Sequence, residues 1–109
     1  MTVEVKPAAR WEWSPLPREG SRKVDFRVLH AQGDHHAIML RFDPDGTIDE
    51  HPHEAPVVVV CLEGAGYTSV EGETVPLKAG EQVTWPAGES HRLWTESEPM
   101  TTLLLHFQG

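Results

Sequence analysis

Apolar and polar residues alternate with a period of two along most of the chain, and glycine, proline and acidic residues interrupt the alternation at short intervals. Successive side chains of a strand point to opposite faces, so each alternating run predicts a strand with one face buried. Strands are expected over Lys23–His30, His36–Phe42, Thr47–His53, Val57–Leu62, Gly66–Val70, Glu73–Leu77, Gln82–Trp85, Ser90–Thr95 and Thr101–Phe107. The breaks carry turn chemistry: Gln32-Gly33-Asp34, Asp43-Pro44-Asp45-Gly46, Glu63-Gly64-Ala65-Gly66, Glu71-Gly72-Glu73, Lys78-Ala79-Gly80 and Pro86-Ala87-Gly88. No segment sustains a helical apolar period. Many short strands at such spacing predict an all-β sandwich or barrel. Val57–Val60 depart from the alternation, being apolar at every position. Val57 and Val59 point one way and Val58 and Val60 the other, so this strand must be covered on both faces. One face is expected to line the barrel lumen, the other to meet a second sheet or a second copy of the chain.

The first 22 residues read differently. Pro7, Pro15 and Pro17 interrupt them, and Trp11 and Trp13 flank Glu12. Residues 1–22 are expected to form an arm laid on the barrel or on a partner subunit, with residues 23–109 forming the barrel itself.

Composition narrows the partners. A length of 109 residues fits one domain. Nine Lys and Arg against seventeen Asp and Glu give a formal charge of −8. Such a surface has no basic run to neutralise a nucleic-acid backbone or an anionic membrane. The longest apolar stretch, Val57 to Leu62, is far too short to span a bilayer. The N-terminus has no apolar central run of a secretory leader. The single cysteine, Cys61, lies within the apolar stretch and reads as a buried hydrophobe. A cytoplasmic protein acting on a small molecule is the expectation.

The candidate chemistry lies in the histidines. His51 and His53 flank Pro52, which holds the residue before it extended and marks an edge or irregularity of the sheet. In an extended segment the two imidazoles share a face and can chelate one ion. His91, after Pro86-Ala87-Gly88, is a third candidate. Taken singly, each is as readily a surface or core histidine as a ligand.

Two longer motifs join these histidines. Gly46-TIDE-His51-Pro52-His53-EAP-Val57-VVVCLE-Gly64 resembles the first cupin motif, G-x5-H-x-H-x(3,4)-E-x6-G, with one residue fewer after the glycine. Gly80-EQVTW-Pro86-Ala87-Gly88-ES-His91-RLW-Thr95 resembles the second, G-x5-P-x-G-x2-H-x3-N, with threonine at the final asparagine. The resemblance, carried by Gly46 to Thr95, implies a cupin double-stranded β-helix, or jelly-roll barrel, of a small single-domain type that commonly forms homodimers. It also implies that His51, His53 and His91 hold one divalent transition metal. The family's glutamate ligand falls on Val57, so the acidic ligand is missing; Glu54 is out of register.

Three neutral imidazoles leave the charge of a dication uncompensated, which favours a small anionic, bidentate ligand. Imidazole suits Fe, Ni, Cu and Zn alike. Cupins with three-histidine iron sites include dioxygenases of thiols and diketones, so the sharpest expectation is a metal-dependent dioxygenase. The alternative is a non-catalytic ligand-binding or sensing domain, with metal-free isomerase chemistry in third place. Asp49, Glu50 and Glu54 are neighbours in sequence able to orient the imidazoles from behind.

Other positions carry weaker signals. Thr102, Leu104 and His106 share a face; if it lines the lumen, His106 is an acid–base candidate or a further ligand. His91, Leu93 and Thr95 are expected inside and Trp94 outside, while Trp85 fits either the pocket wall or the core. Arg41 is a candidate clamp for a substrate carboxylate, an exposed arginine being the plainer alternative. His35-His36 reads as a solvated turn pair.

Overall fold

The computed structural model describes residues 2–51 and 54–107, and of Glu50, His51 and Phe107 the backbone alone. Eight strands follow in order: β1 Arg10–Pro15, β2 Ser21–Gln32, β3 His35–His51, β4 Val57–Val70, β5 Glu73–Lys78, β6 Gln82–Trp85, β7 His91–Trp94 and β8 Met100–Phe107. No helix occurs among the described residues, and hence none long and apolar enough to cross a membrane.

All pairings are antiparallel, and β3 and β4 each change partner midway. The first part of β3 pairs with β8 through His35↔Phe107 to Phe42↔Met100, and its last part with β7 through Thr47↔Trp94 and His51↔His91. β4 does the same, pairing with β8 from Val57 to Gly64 and with β7 from Tyr67 to Val70. The ring β3-β8-β4-β7 is therefore closed, which removes the free edges of these four strands. β2 and β1 extend it beyond β3, while β5 and β6 lie along β4. The result is the expected all-β jelly-roll barrel.

Alternation places the core. Val57, Val59 and Cys61 of β4 are buried with Leu40 and Phe42 of β3, Leu93 of β7, Trp85 of β6 and Met100. Val58 and Val60 face outward and are half-buried, opposite the half-buried Leu105 and Leu103. The valine run is thus an interior face on one side and an apolar outer strip on the other.

Two expected turns become bends within continuous strands. At Asp43-Pro44-Asp45-Gly46, Asp45 takes φ +63°, yet β3 runs on. Thr95 holds this bend. Its hydroxyl donates to the Asp43 carbonyl at 2.6 Å and accepts from the Gly46 amide at 2.9 Å, and its own amide donates to the Gly46 carbonyl at 2.9 Å. Threonine at the motif's last position therefore satisfies buried backbone groups at the place where β3 changes partner. The β4 bend lies at Gly64, with φ +76°, and Gly66, whose absent side chain leaves room for the Trp94 carbonyl and the Met100 sulfur.

The arm contains β1, paired with β2 from Arg10↔Val28 to Pro15↔Asp25. Arg27 lies over both Trp11 and Trp13, 4.1 Å from each ring, and Arg41 lies 4.3 Å over Trp13. These cation–π contacts pin β1 to the outer face of β2 and β3.

The two kinds of glycine separate by experiment. A Cβ at Gly64 would collide with the backbone carbonyl of Pro99 at a left-handed φ, whereas at Gly72, φ +82°, it meets nothing within 4 Å. Gly64→Ala should cost about 3–4 kcal/mol, combining a left-handed alanine with overpacking. Gly72→Ala should cost about 1–2 kcal/mol from the backbone alone. Urea unfolding of the two variants checks the order, and equal costs would show that the β4 bend adjusts freely.

Candidate metal centre

One row of cross-strand neighbours builds the wall of the site. Val57 of β4 stands directly opposite Trp85 of β6 on one side and His106 of β8 on the other, and His106 stands opposite His36 of β3. Directly opposed residues of an antiparallel pair share a face, so the register gathers these four on one side of the sheet. Val57, Trp85 and His106, with His91 of β7, Ile38, Leu104 and Arg18, line a cavity of about 130 Å³. The position matching the cupin glutamate thus faces the cavity as an alkyl side chain.

His91 is 1% exposed. The Trp85 indole stacks on its ring with centroids 3.9 Å apart and planes 14° from parallel. Trp85 is fixed in turn: its Nε1–H donates to Thr68 Oγ1 at 2.9 Å, and that hydroxyl donates to the Arg92 carbonyl at 2.8 Å. Thr68 is fully buried. Tryptophan's one polar atom is thereby satisfied and its face left to hold the imidazole.

The β3·β7 register sets the backbone of His51 directly opposite His91, after an irregularity between Ile48 and His51. Two of the three expected ligands therefore occupy facing positions on adjacent strands. The third, His53, lies outside the described residues, as does Pro52. Among the described residues no group of three or more His, Cys, Asp or Glu side chains is placed to hold a metal; that set includes His91 but not His53. What the described wall offers a metal is a buried imidazole in apolar surroundings, with the facing strand position also a histidine.

His106 does line the lumen, next to Val57, and its Nδ1 lies 3.3 Å from Nδ1 of His36. His35 and His36 lie in β3 rather than in a turn, because the β2–β3 hairpin turns tightly at Gly33 and Asp34. Leu93 and Thr95 are inside, and Trp94 is outside, stacked on Tyr67 at 5.8 Å. Arg41 faces outward and pairs with Asp25 at 2.9 Å, so it does not reach the cavity. The arginine that does is Arg18, in the turn between β1 and β2, where its carbonyl accepts from the Ser21 hydroxyl at 2.6 Å. Nothing periodic in the arm marks Arg18, since its place depends on how β1 docks.

Of the acidic residues near the motif, Asp49 turns to the outer surface. It lines an open cleft of about 450 Å³ with Ser69, Gly72, Thr74, Arg92 and Trp94, where it accepts from Thr47 Oγ1 at 3.3 Å. That larger cleft contains none of the histidines. Glu54 is exposed. Burial pushes the Cys61 thiol up from its ordinary range, so it stays protonated and unreactive at neutral pH.

Residues 38–106 match the family described as Cupin domain. The fold is shared by the polyketide cyclase RemF from Streptomyces resistomycificus, at 21% identity and TM-score 0.82, covering 98% of this chain and 80% of that one. A cupin 2 conserved barrel domain protein from Leptotrichia buccalis aligns at 26% identity and TM-score 0.76, over 86% of this chain and 44% of that one. A predicted oxalate decarboxylase from Thermotoga maritima aligns at 20% identity and TM-score 0.69, over 78% and 81%. No curated protein matches the sequence.

The Trp85 support yields a direct test. Thr68→Val preserves shape but removes the acceptor for Trp85 Nε1–H and the donor to the Arg92 carbonyl. Leaving those groups buried and unsatisfied should cost about 2 kcal/mol and shift the tryptophan emission. Wild-type stability and emission in the variant would show that the indole is held by packing alone.

Proposed function

The chain belongs to the cupin family, and on that footing we propose that it binds one divalent transition metal through His51, His53 and His91 and receives a small anionic molecule in the adjoining cavity. The observation that carries this is the presence of Val57 and His91 on one cavity wall. The side chain that would supply a negative ligand is here a valine pointing into the same space, so a bound dication keeps its charge. Ile38 and Leu104 add only apolar surface, and Arg18 adds a positive charge. An ion in such surroundings draws an anion as its remaining ligand, because low dielectric strengthens the attraction.

Cavity size narrows the ligand. About 130 Å³ is well below the ~300–1,000 Å³ of sites for drug-sized molecules. A thiol carboxylate or a short β-diketone fits this scale better than a flavonol. A bound iron would supply Lewis acidity and open positions for substrate and dioxygen, which makes dioxygenation the sharpest form of the proposal. The chain's own residues hold and shape: Trp85 fixes the His91 ring, Val57 and Leu104 exclude water, and Arg18 favours the anion's approach.

Metal analysis after loading with Fe, Ni, Cu or Zn should find one ion per chain, and His91→Ala should lower its affinity at least tenfold. No binding of any of the four ions by the unaltered chain would end the metal proposal. Oxygen uptake by the iron-loaded protein with thiol carboxylates and diketones tests the chemistry; a flat trace with metal bound moves the function to a ligand-binding module.

Val57→Glu tests the charge argument separately. The added carboxylate should tighten metal binding and weaken anion binding at least tenfold, read by calorimetry with the zinc-loaded protein. Unchanged values for both would show that position 57 does not act on the centre.

A further inference from the structure

We infer that His36 is a positioning residue for His106, fixing its tautomer so that His106 presents a bare Nε2 to the cavity as an acceptor for an S–H or O–H group of the bound molecule. This deepens the cavity's proposed role and rests on it only for the identity of the ligand.

The geometry comes from strand register. His36 and His106 stand directly opposite on β3 and β8, and their rings meet Nδ1 to Nδ1 at 3.3 Å, with centroids 5.4 Å apart and planes 37° from parallel. Between two neutral imidazoles such a contact needs one hydrogen, carried by one Nδ1 and accepted by the other. A neutral imidazole has only one N–H, so the contact ties the state of each Nε2 to that of its neighbour. If His106 donates, its Nε2 is bare and His36 carries Nε2–H. If His36 donates, the assignments reverse.

The surroundings choose between the two. His106 Nε2 is buried, on the side of the ring away from His36. Apart from the imidazoles, the polar side chains lining the cavity are Trp85, whose N–H is already given to Thr68, and Arg18, which can only donate. A positive, donor-only neighbour favours a lone pair over an N–H directed toward it. His106 is therefore the donor at Nδ1, and His36 the acceptor. A metal-facing or substrate-facing imidazole whose second nitrogen is held by a partner is oriented and made more basic. Here the partner is a second imidazole rather than the carboxylate or carbonyl usual in that role.

Long-range proton–nitrogen correlation spectra of metal-free protein with ¹⁵N-labelled histidines read the tautomers directly. Expected are Nδ1–H with bare Nε2 for His106 and the reverse for His36. His36→Phe should release His106 to a mixture or to the Nε2–H form. His36→Asn, whose side-chain oxygen can accept from His106 Nδ1–H, should restore the original tautomer. An Nε2–H His106 in the unaltered chain would overturn the inference, as would an unchanged tautomer in His36→Phe. The unaltered chain alone suffices if a variant does not fold. Because the spectra are taken without metal, failure of metal binding leaves the tautomer result standing, and the reverse tautomer leaves the metal result standing.

Discussion

The register of β4 governs everything else in this molecule. Its fourteen residues pair with β5, β6, β7 and β8, so its position fixes which side chains four other strands present to the interior. A slip of one residue would turn Val57, Val59 and Cys61 outward and bring Val58, Val60 and Leu62 in. It would also break the row in which Val57 separates Trp85 from His106. The register is held by burial on the inner face and by the bend at Gly64, where only a glycine avoids the Pro99 carbonyl. The outer face of the same valines is half-buried and would not by itself reject a slip.

Polar groups inside this barrel do structural work at the places where the chain departs from regular pairing. Thr95 satisfies backbone groups where β3 bends, and Thr68 links the Trp85 indole to the Arg92 carbonyl. Both threonines lie close to His91, one four residues beyond it in sequence and the other joined to it through Trp85. The candidate centre is thus set among fixed groups rather than on a loose loop, as a site requires if its ligands are to keep their geometry.

The chemistry follows from what the cavity lacks and what it has. At the position of the cupin glutamate there is a valine, and the described lining holds no carboxylate. Its ionisable members are His91, His106 and Arg18, neutral or positive groups in a chain whose formal charge is −8. A negative protein with a locally positive, apolar-walled cavity selects small anions by the near field of the site rather than by long-range attraction.

The sequence by itself determined the all-β class, nearly every strand, and the inward direction of Val57, Leu93, Thr95 and His106, because a period of two is a local property that each strand carries in its own residues. It also carried the motif positions of His51, His53 and His91 and the replacement of the family's acid by Val57. Local pattern did not reveal that Asp43–Gly46 and Glu63–Gly66 are bends within β3 and β4, since a turn and a bend use the same residues and differ in the partners found on either side. Nor did it reveal that Arg18 rather than Arg41 reaches the cavity, that Trp85 stacks on His91, or that His36 meets His106. Those contacts join residues far apart in the chain, and only the closure of β3, β8, β4 and β7 into a ring fixes which side chains become neighbours.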